Sequence, residues 1–588
     1  MSDRWIVRSA VICLILWSAT PVAVADERTA AELLPPSTVI FAQIERPQNL
    51  LSTVYDHSLV QRIAELERVR AAKEKKQYLD FKAGVANVES QMAMPWRKIV
   101  GQVTGGGMVI ALDGESRGVA LLARATEATI SAKLVDTLVN LASLDARNKG
   151  KLAPIKTSEY RGVKTYAVDK GRLAVMADWL VITNKDELGK QIIDRFLDRP
   201  EESLAENLQF ATAQAAVNGS TTALAYVDTT ALREAGLAKK LFAGQAENPV
   251  AELILGGILS TLQKTPYVAI GLEVNDRQVR LSASAPLDHD WAGDLREYYF
   301  GPKGTGVAPP LLSVDNTIFC VSAYRDASAM WLRAGDLFDE QTNDKLALAD
   351  SNLTTLFAGK DFGEDILGAF KPAGQVIVVP QRFAEGEPAP AIKLPAFGLV
   401  SEMKDPIKMQ PELRRTFQSL IGFLNIVGAM NGQPQLDLDM EKTDAALFVT
   451  SSYLPDTNAK DPQSLKINYN FSPSIAFAGS RFVLASTKEL AHTLVTAQAT
   501  ERSAGDDGRA VNTEALVHFD ALHEALADNR GQLVAQNMLK EGHTKEEAER
   551  EVGDLLEIVG YFDRLQLSLD TTPSELRASL DLGIKPED

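Results

Sequence analysis

The second half of this chain restates, in order, the apolar segments of the first, and this repetition narrows its possible folds more than any other feature. Leu33-Leu34-Pro35-Pro36-Ser37 leads into the strand-like Thr38-Val39-Ile40-Phe41-Ala42-Gln43-Ile44. Pro309-Pro310-Leu311-Leu312 likewise precedes Asn316-Thr317-Ile318-Phe319-Cys320-Val321. Residues 107–111 resemble 374–378, and 118–121 resemble 397–400, each pair being followed by a helical stretch, 130–144 and 411–430. The closest match sets 179–188 beside 481–490, and 223–228 beside 515–520 comes next. Each half closes on two alternating segments, 268–274 with 279–285 and 565–569 with 576–582. Self-similarity on this scale means one structural unit used twice. A chain of 588 residues also exceeds the ~250–300 at which a single core stops growing.

Residues 26–300 are therefore expected to form one unit and 311–588 a diverged second copy. The breaker-rich stretch 301–310 is read as the linker between them. Within a copy, alternating apolar and polar residues mark strands, and short polar turns such as Asp113-Gly114 and Asn275-Asp276 join them as hairpins. Amphipathic helices lie between, the longest expected from His57 to about Val88. Thr544-x-x-Glu547 is a capping box that opens another. Hairpins and long amphipathic helices without a regular βαβ rhythm predict an α+β fold with largely antiparallel sheets.

The first 25 residues form a different kind of segment. Arg4 and Arg8 precede an apolar core over 10–17, and Ala23-Val24-Ala25 supplies the small residues of a cleavage site. Residues 1–25 are read as a signal peptide cut before Asp26, which predicts a periplasmic or extracellular protein; an uncleaved anchor is the alternative. No later run approaches the ~20 apolar residues of a membrane span; the strongest, 252–262, is interrupted by two glycines. Cys13 leaves with the signal, so Cys320 alone remains and no internal disulfide can form. Its apolar strand-like surroundings predict a packing residue.

The chain carries a net charge of −17; losing Asp3, Arg4 and Arg8 leaves −18. Such a surface repels phosphate backbones and anionic lipid, so nucleic acid is not an expected partner. The basic residues Arg68, Arg70, Lys73, Lys75 and Lys76 alternate with Glu65, Glu67 and Glu74 as on a solvated helix face.

Several chemical motifs reduce to structure. Gly114-Glu115-Ser116-Arg117-Gly118 fits G-x-S-x-G, but strand-like segments flank it on both sides, where a nucleophile elbow needs a strand-to-helix turn. Ser401-x-x-Lys404 runs into Asp405-Pro406 and does not open the helix that an S-x-x-K pair requires. His518, Asp520, His523 and Glu524 are the densest cluster of possible metal ligands, with His518, Asp520 and His523 the candidates, but they straddle a strand-to-helix junction. Asp520 is expected to cap the following helix as Asp228 does in the first copy. Asp288-His289-Asp290 is read as an exposed acidic turn. Asp437 and Asp439 share one face of a strand and are read as a solvated face rather than as paired catalytic acids. No G-x-x-x-x-G-K-[ST], H-E-x-x-H or C-x-x-C occurs, and no cofactor is expected. Asn218-Gly219-Ser220 and Asn352-Leu353-Thr354 are formal glycosylation sequons.

The proline-led entry at 33–41 and Leu-Val-Ile-Thr-Asn-Lys-Asp-Glu-Leu at 180–188 resemble a family of large secreted or envelope bacterial proteins built from domains of unknown function. That resemblance implies export and assigns no activity or site residue. A non-catalytic protein that binds a protein or envelope ligand, or acts as a scaffold, is the expected function. The alternative is a hydrolase of an extracellular polymer.

Overall fold

The computed structural model describes residues 28–148, 155–168, 171–217, 222–239, 241–242, 246, 248–292, 295–383, 389–454, 464–501 and 510–586. The signal-type segment 1–25 and the sequon at 218–220 lie outside these residues. The chain packs as two units. One comprises Met1–Lys239, Thr265–Pro286 and Pro586–Asp588; the other comprises Lys240–Lys264 and Leu287–Lys585.

The first unit is built on ten strands: β1 (Thr38–Ile44), β2 (Met108–Asp113), β3 (Val119–Arg124), β4 (Ile155–Tyr160), β5 (Val163–Val168), β6 (Gly171–Met176), β7 (Trp179–Thr183), β8 (Ala223–Asp228), β9 (Tyr267–Asn275) and β10 (Gln278–Pro286). They pair antiparallel in the order β4-β5-β6-β7-β3-β2-β1-β8-β9-β10. Helix α1 (Ala128–Asn148) packs over one face with Met92, Ile99 and Val103; its Leu134 and Val135 meet Leu173 and Leu180. Helix α2 (Asp186–Asp198) covers the other face, where Leu188 and Ile192 join Phe41, Leu122, Val181 and Tyr226. The period of two puts Leu180 and Val181 into opposite cores, so both faces of β7 are apolar.

The second unit repeats this plan with β11 (Phe319–Tyr324), β12 (Phe370–Val379), β13 (Ala396–Met403), β14 (Leu436–Lys442), β15 (Leu447–Tyr453), β16 (Ser474–Ala478), β17 (Arg481–Ala485), β18 (Ala510–His518), β19 (Phe562–Thr571) and β20 (Glu575–Ile584). Their order is β14-β15-β16-β17-β13-β12-β11-β18-β19-β20, again antiparallel throughout. Each strand sits where the strand ten earlier sits in the first unit. The long helix α4 (Pro406–Met430) takes the place of α1, and α5 (Lys488–Thr496) that of α2. The α+β class and the duplication are therefore both features of the fold.

The unit Leu287–Lys585 also holds α3 (Pro249–Lys264), which comes between β8 and β9 in the chain. Part of the stretch 301–310 packs there too: Ala308 is buried, its N–H donates to the Val511 carbonyl, and a Cβ at Gly306 would lie 2.5 Å from the Tyr324 ring.

Two expectations change. The helix expected from His57 to Val88 is three helices, Ser58–Glu65, Glu67–Lys73 and Lys76–Met92, because Leu66 and Lys75 are extended. The first break turns Leu66 inward, where it is buried in an otherwise wet segment. Asp520 does not cap the helix after β18, α6 (Phe519–Asp528): it lies in the first turn, and His518 holds the N-cap position without a side-chain bond to the helix. The match of 223–228 to 515–520 slips by two residues: Asp228 and His518 each end their strand at the N-cap position of the next helix, where Asp228 accepts from the Ala231 N–H and His518 makes no side-chain bond. A two-residue slip keeps every side chain on its original face, so the apolar pattern cannot reveal it.

Candidate functional site

Ser116, the serine of the G-x-S-x-G match, sits in the tight turn between β2 and β3. The buried Asp113 carboxylate accepts from the Ser116 N–H and hydroxyl and from the Ser37 hydroxyl, while Gly114 N–H donates to the Ser37 carbonyl at 2.8 Å. Gly118 closes the turn: a Cβ there would lie 2.9 Å from both Leu188 Cδ2 and Ser116 Oγ. The serine is a turn-forming residue bonded to a carboxylate.

At the same place in the second unit the described residues line a cleft. Register pairing makes Asn316 the counterpart of Ser37, Val379 of Asp113, Ala396 of Gly118 and Leu490 of Leu188. All four line a cleft of about 700 Å³. The connection that spans 114–118 in the first unit spans 380–395 in the second, and among its described residues none takes the place of Ser116 over Leu490. Ser313, Gln381, Thr487, Thr493, Thr496 and Gln498 give the cleft a lining of hydroxyls and amides. Its ionisable side chains are Asp315, Arg382 and Glu489. Arg382 also lies 3.3 Å from Glu524, and Gln381 is held by its bonds to the Leu394 and Asn470 carbonyls. The volume falls within the ~300–1,000 Å³ typical of small-molecule sites. Apolar periodicity does not register such a cleft, which arises from loop length at a position where strand and helix patterns match.

The other candidates are dispersed. Asp520 bonds Lys585, and His518 lies at the end of β18 with its N–H on the Ile318 carbonyl, while His523 lies within α6. Among the described residues no group of three or more His, Cys, Asp and Glu side chains could hold a metal ion. His289 is half-buried: its Nε2 lies 3.2 Å from the Thr572 carbonyl, its ring packs edge-on to Phe300, and Gly304 is held against it. The turn is thus packed at its histidine and exposed only at Asp288 and Asp290. Asp437 and Asp439 are exposed on β14. Ser401 is on β13, and the Lys404 ammonium donates to the Gly368 carbonyl at 2.7 Å. Cys320 is buried against Ile377 and Val483, and burial, aided by Glu514, pushes its thiol up to about 11.

One charged cluster was not foreseen. Glu252 of α3 is fully buried and receives Arg296 Nε at 2.6 Å, Arg296 NH2 at 3.1 Å and the Tyr298 hydroxyl at 2.6 Å. Burial pulls the Arg296 guanidinium down, but hydrogen bonds and charge from Glu252 outweigh it and hold it above its ordinary value. Burial first, then the carboxylate, push the Tyr298 phenol well up. Arg325 lies 3.5 Å above the Tyr299 ring and donates to Leu253 O, Asn512 Oδ1 and Thr513 Oγ1. Every member has a partner in this network, which anchors α3 within its unit. Its signal in the sequence was Glu252 opening an otherwise apolar helix.

A family model described as "Protein of unknown function (DUF3352)" matches residues 137–296. That stretch is similar to a family with no assigned activity. It includes both Glu252 and Arg296. Comparison with curated proteins found no match. Among solved structures, crystal form I of TP0453 is similar at 11% identity, covering 45% of this chain and 81% of that one, with a TM-score of 0.25. Crystal form III of TP0453 gives 10% identity, 44% and 80% coverage, and a TM-score of 0.24. Likeness at this level carries no inference about function.

Proposed function

We propose that the chain is an exported, non-catalytic binding protein, periplasmic or extracellular, whose second unit takes a small polar ligand in the cleft beside α5. One observation carries this reading: the position that the Asp113–Ser116 turn closes in the first unit is a cleft of about 700 Å³ in the second. Divergence between the units thus kept the strand order and lengthened the connection at this position. Hydroxyls and amides suit a ligand recognised by hydrogen bonds, and the signal-like residues 1–25 support export.

The test is recovery of the chain from the envelope and secreted fractions, followed by native mass spectrometry. The reading expects an N-terminus at Asp26 and a small-molecule adduct that a cleft-filling Thr493→Trp variant lacks. A retained N-terminus contradicts export; the absence of any adduct, or an equal adduct in both proteins, contradicts the cleft. Turnover of a polysaccharide or peptide polymer that Thr493→Trp abolishes would favour the hydrolase instead.

A further inference from the structure

At one end of the second unit's sheet, β14 pairs with β15 on one side only; no described strand pairs with the other. The Asn425 side chain covers the outward N–H and C=O of Leu436 at 2.7 and 2.8 Å, so the open edge begins at Leu438. From there alternation sorts the side chains. Asp437, Asp439 and Glu441 point to one face, all exposed, with Glu441 3.5 Å from His492. Leu438 and Met440 point to the other, where Gln418 of α4 lies against Met440 and both apolar side chains stay partly in solvent. Gln418 and Asn425 mark the line along which α4 meets the strand. Farther round the helix, toward solvent, come Phe423, Ile426 and Met430 at helical spacing, which are 57%, 66% and 82% exposed. An open sheet edge bordered by an exposed apolar stripe is a binding surface or an aggregation hazard.

A second copy does not fit there. Any pairing of β14 with itself that keeps apolar side chains on the helix face sets Asp437, Asp439 and Glu441 against one another, and like charges directly opposite destabilise a pair. The complementary strand carries cations at alternate positions and apolar side chains between them. We propose that the outer edge of β14 binds an extended cationic segment of a partner protein by strand addition. Its lysines or arginines pair with Asp437, Asp439 and Glu441, and its apolar side chains cover Leu438 and Met440. Main-chain bonds supply affinity and the alternation supplies register. The Met440 N–H, now held by the Asp439 carboxylate at 2.8 Å, is released to the new strand as Asp439 takes a cation.

The test is fluorescence anisotropy with labelled synthetic peptides on the full chain. An alternating Lys-Val heptapeptide should bind at least tenfold tighter than a block peptide of the same composition, and an alternating Glu-Val peptide should not bind. Asp437→Asn with Asp439→Asn, which leaves the core untouched, should weaken binding by tenfold or more. Leu438→Pro, which removes an outward N–H, should abolish it. Equal binding of block and alternating peptides, or unchanged binding by the double variant, overturns strand addition. Self-association lost with Leu438→Pro would make the occupant a second copy and also overturns it, as would vesicle binding that requires Ile426 and Met430 but not the acids.

Discussion

Thr38 and Thr317 make the same hydrogen bond in the two units: the Thr38 hydroxyl donates to the Pro35 carbonyl at 2.7 Å, and the Thr317 hydroxyl to the Val314 carbonyl at 2.7 Å. Both threonines are buried, and each turns the chain into the first strand of its sheet. Removing either hydroxyl leaves a buried carbonyl short of a partner, at a cost of about 1 kcal/mol. Thr38→Val and Thr317→Val should therefore lower stability by similar amounts in urea unfolding. A large loss in one and none in the other would contradict their equivalence.

These threonines also show where sequence and structure part. Aligning by identity puts Ile40-Phe41 against Ile318-Phe319, but the structure puts Phe41 opposite Cys320, both on a core face, with Phe319 turned away. A one-residue error inverts every side chain of a strand. Strand order, by contrast, was legible, since both units kept the same apolar segments in the same sequence. The Glu252–Arg296 pair was not legible, because its members are far apart in the chain and burial alone brings them together. The cleft was not, because loop length carries no periodic signal.

Glu252→Gln should destabilise the fold by about 3–5 kcal/mol, since it leaves the buried Arg296 charge without its counter-ion. Combining Glu252→Leu with Arg296→Met should recover much of that loss. Gly257→Ala should also destabilise, by about 1–3 kcal/mol, because its Cβ would lie 2.2 Å from the Tyr299 ring. Chemical denaturation of the variants checks all three; a wild-type midpoint for Glu252→Gln would show that the network contributes nothing.

Alkaline pH should unfold the chain before its buried phenols ionise. Burial raises Tyr166 to about 12, with Asp136 adding to it, and raises Tyr298 and Tyr226 further. The folded state therefore holds these protons more tightly than the unfolded state, whose tyrosines titrate near ~10. Their contribution is complete below about pH 10 and is lost as pH rises beyond it. Urea midpoints at pH 8, 10 and 11, read alongside absorbance at 295 nm, test this. A midpoint that does not fall above pH 10 would contradict it.

Cys320 offers a test of burial and of processing together. Its thiol should resist a disulfide reagent in the folded protein and react promptly in denaturant. Denatured mature protein should show one reactive thiol, whereas a chain that keeps Cys13 would show two.

The most direct test of the central claim is a crystal structure of the chain recovered from the exported fraction. The account predicts that Ser37, Asp113, Gly118 and Leu188 superpose on Asn316, Val379, Ala396 and Leu490, with non-solvent density in the cleft of the second unit and the turn closed in the first. Two closed turns, or a cleft holding only solvent in protein taken directly from its compartment, would contradict it.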